Sequence, residues 1–194
     1  NTIMAQGGAA AVFSPDDSFD LHLQDTLVAG SGLCSEEVVR NVVQQAPERM
    51  SELVDWGVPF DLETPRANED ALANHSPEIH HLDLTREGGH SRRRIVHVED
   101  HTGLSIHSVL LEKARQHPRI VIKENQFAID LITERSVNPR YLGPNKCYGV
   151  HALDTQSGEV TEHLARWTVL ANGGAGKIYL YTSNWSGATG DGIA

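Results

Sequence analysis

Between Leu84 and Arg94 the chain reads Leu-Thr-Arg-Glu-Gly-Gly-His-Ser-Arg-Arg-Arg, which puts one carboxylate, two adjacent glycines, a histidine and four arginines in one short stretch. Paired glycines let main chain approach a ligand closely. Arginines around them can grip a carboxylate or phosphate through two parallel hydrogen bonds. Glu87 is the lone acid here. A carboxylate among guanidinium groups favours its charged form and can hold an ammonium group. The same composition also suits a solvated surface loop in which Glu87 simply pairs with Arg86 or Arg92. Three more glycine-bearing segments stand out: Asn1-Thr2-Ile3-Met4-Ala5-Gln6-Gly7-Gly8, Asn172-Gly173-Gly174 and Gly190-Asp191-Gly192. Loops of this kind offer backbone donors to a pyrophosphate or a planar ring. Each taken alone is equally an ordinary tight turn. The G-x-G-x-x-G dinucleotide fingerprint does not occur.

The elements that must carry these loops are legible in outline. Ser14-Pro15-Asp16-Asp17 reads as a helix start, with Ser14 capping and two aspartates at the positive helix end. That helix is predicted to run to about Ala29 and stop at Gly30. A second is predicted from Ser35, with Val38, Val42, Ala46, Met50, Leu53 and Val54 recurring at helical spacing as a core face. Pro47 should kink or split it, and Gly57 ends it. Residues 61–80 are polar, contain Pro65 and Pro77, and predict a mobile loop. A third helix is expected from about Gly103 to Gln116, with Ile106, Leu110, Leu111 and Ala114 inward. The period then changes to that of strands at Ile120-Val121-Ile122 and from Phe127 to Thr133. A hairpin is expected of Tyr148 to Leu153 and Val160 to Leu164. Trp167-Thr168-Val169-Leu170-Ala171 has the character of a buried strand ending at Asn172. The mixture implies an α/β domain with an added antiparallel piece.

Composition excludes several classes. A formal net charge of −10 argues against sequence-independent nucleic-acid binding, which rests on phosphate neutralisation. No run of apolar residues is long enough to span a bilayer, and no signal peptide opens the chain. Cys34 and Cys147 lack C-x-x-C spacing and read as inert thiols or, alternatively, a single bridge. The eleven histidines, His80-His81 among them, lack the acid-flanked i, i+4 pattern of a helical zinc site, so no metal site is expected. Asn184-Trp185-Ser186 matches a glycosylation sequon by chance. Both ends look cut, which predicts a fragment.

The stretches Ala5 to Val12, Leu84 to Ile95 and Gly190 to Ala194 together resemble the L-aspartate oxidase family, within the succinate dehydrogenase and fumarate reductase flavoprotein superfamily. The A-Q-G-G motif marks the superfamily. The T-R-E-G-G-H-S-R-R-R run marks the oxidase. The similarity runs from Asn1 to Ala194, with a divergent patch between Glu63 and Ile79. It implies a partial FAD-binding, Rossmann-like domain over residues 1–194, with the first βαβ unit and its dinucleotide motif, the capping domain and the C-terminal helical domain lying elsewhere. It implies FAD contacts from Asn1, Thr2, Ile3, Met4, Ala5, Gln6, Gly7, Gly8 and Asp191, and an adenine contact near Phe127-Ala128. Asn1 stands where succinate dehydrogenases carry the histidine that bonds flavin covalently, so non-covalent FAD is implied. Glu87 corresponds to the glutamate that recognises the substrate amine.

The implied reaction is oxidation of L-aspartate to iminoaspartate, with oxygen or fumarate as electron acceptor. Functional coupling to quinolinate synthase on the route to NAD is implied as well, in the cytoplasm. The alternatives are a respiratory fumarate reductase or succinate dehydrogenase flavoprotein subunit, and a non-catalytic domain using the helical face 38–54 as an interaction surface. The superfamily's base arginine and carboxylate clamps fall beyond Ala194, so residues 1–194 alone are expected to be inactive.

Overall fold

The computed structural model describes residues 2–63 and 81–193. The chain divides at Pro118 into two units, Asn1–Pro118 and Arg119–Ala194.

The first unit opens with a 3-10 turn, Thr2–Met4, and a two-residue strand β1, Ala9–Ala10. Helices α1 (Phe19–Ala29) and α2 (Glu36–Asp55) follow and pack together. Strands β2 (Leu84–Thr85) and β3 (Ile95–Val96) form a short hairpin, and α3 (Thr102–Gln116) closes the unit. β3 is central, with β1 and β2 antiparallel on its two sides. The loop closing the β2–β3 hairpin is therefore the T-R-E-G-G-H-S-R-R-R motif itself.

The first helix starts later than the sequence suggests. Ser18, not Ser14, is the N-cap, accepting from the Leu21 amide at 3.2 Å. Residues Ser14 to Asp17 instead make a turn closed by the Asp17 amide on the Ser14 carbonyl at 3.1 Å. The reason is tertiary, because Asp17 is taken by a buried arginine described below. Helix α2 runs unbroken through Pro47. A proline inside a helix removes one amide donor, and here the packing of the flanking turns outweighs that loss. Its buried residues are Val43 and Met50, with Ala46, Leu53 and Val54 packed against the core. Val38 and Val42, expected inward, are more than half exposed. Met50 joins Ala11, Val58, Phe60, Leu82, Val96 and Val98 in one apolar cluster, against which Ile106 and Val109 of α3 also pack. Leu110, expected inward, is exposed, since the contact stripe of α3 runs through Ile106 and Val109.

The second unit is a three-stranded antiparallel sheet in the order β4-β5-β6: Gln126–Thr133, Cys147–Asp154 and Val160–Leu164. A short helix α4, Glu134–Val137, follows β4 behind a Thr133 capping box. The expected hairpin across 154–158 is present, with Asp154 Oδ1 accepting from the Gln156 and Ser157 amides. Helices with this added antiparallel sheet make up the expected α/β class, and every strand pairing among the described residues is antiparallel. Two expected strands are absent. Ile120 to Ile122 and Trp167 to Ala171 are unpaired chain, exposed except at Thr168. A strand is stabilised by the neighbour it pairs with, and neither segment has one among the described residues. Most of the expected loop 61–80 lies outside the described residues. Its described margins are joined by the Leu62–Leu82 bridge.

Candidate functional site

The first unit brings the opening glycine loop against the arginine-rich loop. Glu87 Oε1 accepts from the Gly8 amide at 3.2 Å. A Cβ on Gly7 would lie only 3.3 Å from the same oxygen. On its other side Gly8 lies so close to β3 that a Cβ would overlap the Val96 carbonyl. The segment is held from below as well. The Gly103 amide, in the first turn of α3, donates to the Ala5 carbonyl at 3.0 Å, and a side chain on Gly103 would overlap the Thr2 carbonyl. One of the orphan donors at a helix start is thereby satisfied by the opening segment. Thr2 to Gly7 are themselves exposed, and among the described residues the amides of Gln6 and Gly7 have no partner. Two adjacent free amides beside a carboxylate fit what a flavin ring and its substrate require of main chain. Asn1 lies outside the described residues.

Among the described residues Glu87 pairs with neither Arg86 nor Arg92. The four arginines divide in two. Arg86, Arg92 and Arg93 line a cavity of about 750 Å³ with Ser14, Asp16 and Thr85, and Arg93 also donates to the Leu84 carbonyl at 3.2 Å. Arg94, read from the sequence as part of one anion-gripping cluster, is instead wholly buried. Its Nε and one terminal nitrogen take both oxygens of Asp17 at 2.7 Å, and its other terminal nitrogen takes Asp25 Oδ2 at 2.6 Å. Burial would raise the Asp25 carboxyl, but bonds from the Ser91 amide, the Ser91 hydroxyl and Arg94 outweigh it and hold that carboxyl below its ordinary value. For Arg94, burial disfavours the charge, but bonds to Asp17 and Asp25 outweigh it and raise its value.

The same arginine sets the state of a histidine. Arg94 lies 3.3 Å from His90 Nδ1. A guanidinium can only donate, so Nδ1 accepts and the ring proton sits on Nε2. His22, buried on α1, stacks at a tilt 5.7 Å from His90, and its Nδ1 has no partner among the described residues. Burial first, then the charge of Arg94, lowers its value. His22 and Asp25 carried no local sequence signal, and Asp17 was read only as part of a helix start, because their roles depend on an arginine about seventy positions away.

In the second unit, Gly192 brings the expected Asn172 loop and the Gly190-Asp191-Gly192 turn together. A Cβ on Gly192 would lie 2.6 Å from Asn172 Oδ1. Asp191 is exposed and accepts from the Thr189 hydroxyl. Phe127 and Ala128 are paired in the ladder with Leu153 and Ala152. Cys34 and Cys147 are both free.

Residues 1–194 match the family described as FAD binding domain along their whole length. The chain belongs to the FAD binding domain family. It is 46% identical over 194 residues to an L-aspartate oxidase of Pseudomonas aeruginosa, covering all of this chain and 34% of that protein. It is 45% identical to chloroplastic L-aspartate oxidase 2-a of Nicotiana tabacum, covering 27% of that protein. Among solved structures it is similar to E. coli quinol fumarate reductase FrdA, with a TM-score of 0.80 at 29% identity over 99% of this chain and 29% of that one. Mycobacterium smegmatis Sdh1 is similar at a TM-score of 0.77 and 28% identity, over 98% of this chain and 30% of that one. The chain thus spans about a third of the length of the curated relatives it matches. Among the described residues no helix is long and apolar enough to cross a membrane.

Proposed function

We propose that these residues are part of the FAD-binding domain of an L-aspartate oxidase, in which they help oxidise L-aspartate to iminoaspartate. The observation that carries this reading is the Glu87 carboxylate set against the Gly8 amide beside the free amides of Gln6 and Gly7. Aspartate differs from succinate by one ammonium group. A site that must select it gains from a fixed negative partner, and a charge-assisted bond made only to the amine discriminates against the dicarboxylate that lacks it. Glu87 supplies that partner.

Bound FAD would supply the acceptor for the hydride leaving the substrate Cα. Thr2 to Gly8 would hold it by main chain, with Asn1 unable to make a covalent flavin bond; Asp191 is a further FAD contact that the family resemblance implies. Arg86, Arg92 and Arg93 present positive charge toward dicarboxylates entering the adjoining cavity. The dinucleotide motif, the capping domain and the helical domain are assigned to other parts of the protein, in line with the third of the relatives' length that residues 1–194 cover. Oxygen or fumarate would reoxidise the flavin, and iminoaspartate would pass to quinolinate synthase. The cytoplasm, a reducing compartment, suits the two free thiols.

The test uses the full-length protein, anaerobic and loaded with FAD. Bleaching of oxidised-flavin absorbance by L-aspartate and not by succinate is expected, with the preference lost in Glu87→Gln. Bleaching by succinate alone would assign the protein to the respiratory flavoproteins. Failure to hold FAD would leave an interaction domain.

A further inference from the structure

Glu87 is exposed on the loop spanning residues 86–94, with Gly88 and Gly89 beside it and Gly89 at a φ of 83°. Loops of that composition do not hold a long side chain in place unaided, because each backbone residue that is ordered loses conformational entropy. The structure shows what holds this one. On the far side of the glycines, Ser91 donates its amide and its hydroxyl to Asp25 Oδ2, each at 2.8 Å. Arg94 donates to the same oxygen and grips Asp17 with the rest of its fork. Its main chain stands at the neck of the loop, where the Arg94 amide donates to the Thr85 carbonyl at 3.1 Å and the Arg94 carbonyl accepts from Ala11 at 2.9 Å. Ala11 continues β1, and β1 leads back through Ala9 to Gly8, whose amide meets Glu87. Contacts and chain together form a closed ring: Gly8, β1, Ala11, Arg94, Asp25, Ser91, then back along the chain to Glu87 and Gly8 again.

Resting on the function proposed above, we infer that Arg94, Asp25 and Ser91 are positioning residues that set the Glu87 carboxylate against the Gly7-Gly8 loop and thereby determine selectivity for the amine of the substrate. None of the three need touch the substrate. If the ring opens at Asp25 or Ser91, Glu87 is left on a glycine hinge. The superfamily's clamps for the two substrate carboxylates are expected on other segments of the protein, so binding of a dicarboxylate lacking the amine does not report on the positioning.

The experiment compares Ser91→Ala and Asp25→Asn, alone and combined with Glu87→Gln, in the full-length FAD-loaded enzyme. Ser91→Ala removes one of three bonds to Asp25 Oδ2 and leaves Arg94 intact, so the fold survives even where Asp25→Asn does not. The readouts are kcat/KM for L-aspartate and the inhibition constant of succinate. Ser91→Ala is expected to lower kcat/KM for aspartate by about tenfold, in the range a sub-ångström misplacement produces, while the succinate constant stays within about twofold. In the Glu87→Gln background the same change should cost almost nothing, and Ser91→Thr, which keeps a hydroxyl, should restore most of the loss. Parallel losses for aspartate and succinate, full additivity with Glu87→Gln, or unchanged aspartate kinetics would each overturn the inference. A wild-type enzyme that aspartate does not reduce would instead defeat the function proposed above, so the two failures are separable.

Discussion

Replacing Arg94 by methionine isolates the energetics of the anchor. The guanidinium is wholly inaccessible and makes three charged hydrogen bonds of 2.6 to 2.7 Å, two to Asp17 and one to Asp25. Summing such bonds overstates their worth, because burying three charges cost most of that sum in desolvation. The cost of removing one partner is better defined. Methionine fills much of the volume but leaves the Asp17 side chain, which is also wholly buried, without a counter-charge. Breaking a buried pair this way costs about 3–5 kcal/mol. The assay is the urea midpoint of the full-length, FAD-loaded protein, followed by near-ultraviolet circular dichroism. The surface substitution Arg40→Ala, which breaks exposed pairs to Asp20 and Glu36, serves as the reference. Adding Asp17→Asn to Arg94→Met should return part of the loss, because the orphaned charge is then gone, with a coupling above about 1 kcal/mol. Arg94→Lys keeps the charge but not the fork and should fall between wild type and methionine. The reasoning is refuted if Arg94→Met lowers the midpoint no more than Arg40→Ala, or if Asp17→Asn makes the double variant additively worse.

Three further outcomes are expected. Gly103→Ala would drive a methyl group into the Thr2 carbonyl and displace the opening segment; purified full-length protein should carry markedly less FAD per chain, as read from its absorbance ratio, while helix content is retained. Ser18→Ala removes the α1 cap bond to Leu21 and should cost about 1 kcal/mol, measured as a lowered urea midpoint, whereas Ser14→Ala should cost far less. His22 is held below its ordinary 6.5 by burial and by Arg94, while Asp17 and Asp25 act the other way. The unfolded chain therefore takes up a proton near 6.5 that the folded chain refuses, and stability falls as pH drops below that value until folded His22 itself titrates. Melting temperature against pH should be flatter there in His22→Phe. Asp25 adds a separate loss only below 3.8, as pH falls through its depressed value.

Local sequence was enough to place the three main helices, the β4 strand, the β5–β6 hairpin and the glycine loops, because apolar periodicity, capping residues and glycine act over a few positions. It also drew attention to Glu87, although composition alone left a solvated surface loop equally open and the expected role came from the family resemblance. Where it misplaced things, the deciding partner was remote. Ser14 had every feature of a cap, yet Asp17 is drawn to Arg94 and the helix waits for Ser18. Val42 and Leu110 follow the inward period, but which stripe is buried depends on what packs against it. Ile120 to Ile122 and Trp167 to Ala171 have strand composition without a strand beside them. The consecutive arginines Arg92, Arg93 and Arg94 are alike in sequence, and only the fold separates two that line a cavity from one sealed beneath α1. The sequence determined which segments could meet a ligand, since that is a matter of residue type. The tertiary structure decided which of those residues are free to do so, since burial and charge pairing are settled between positions far apart in the chain.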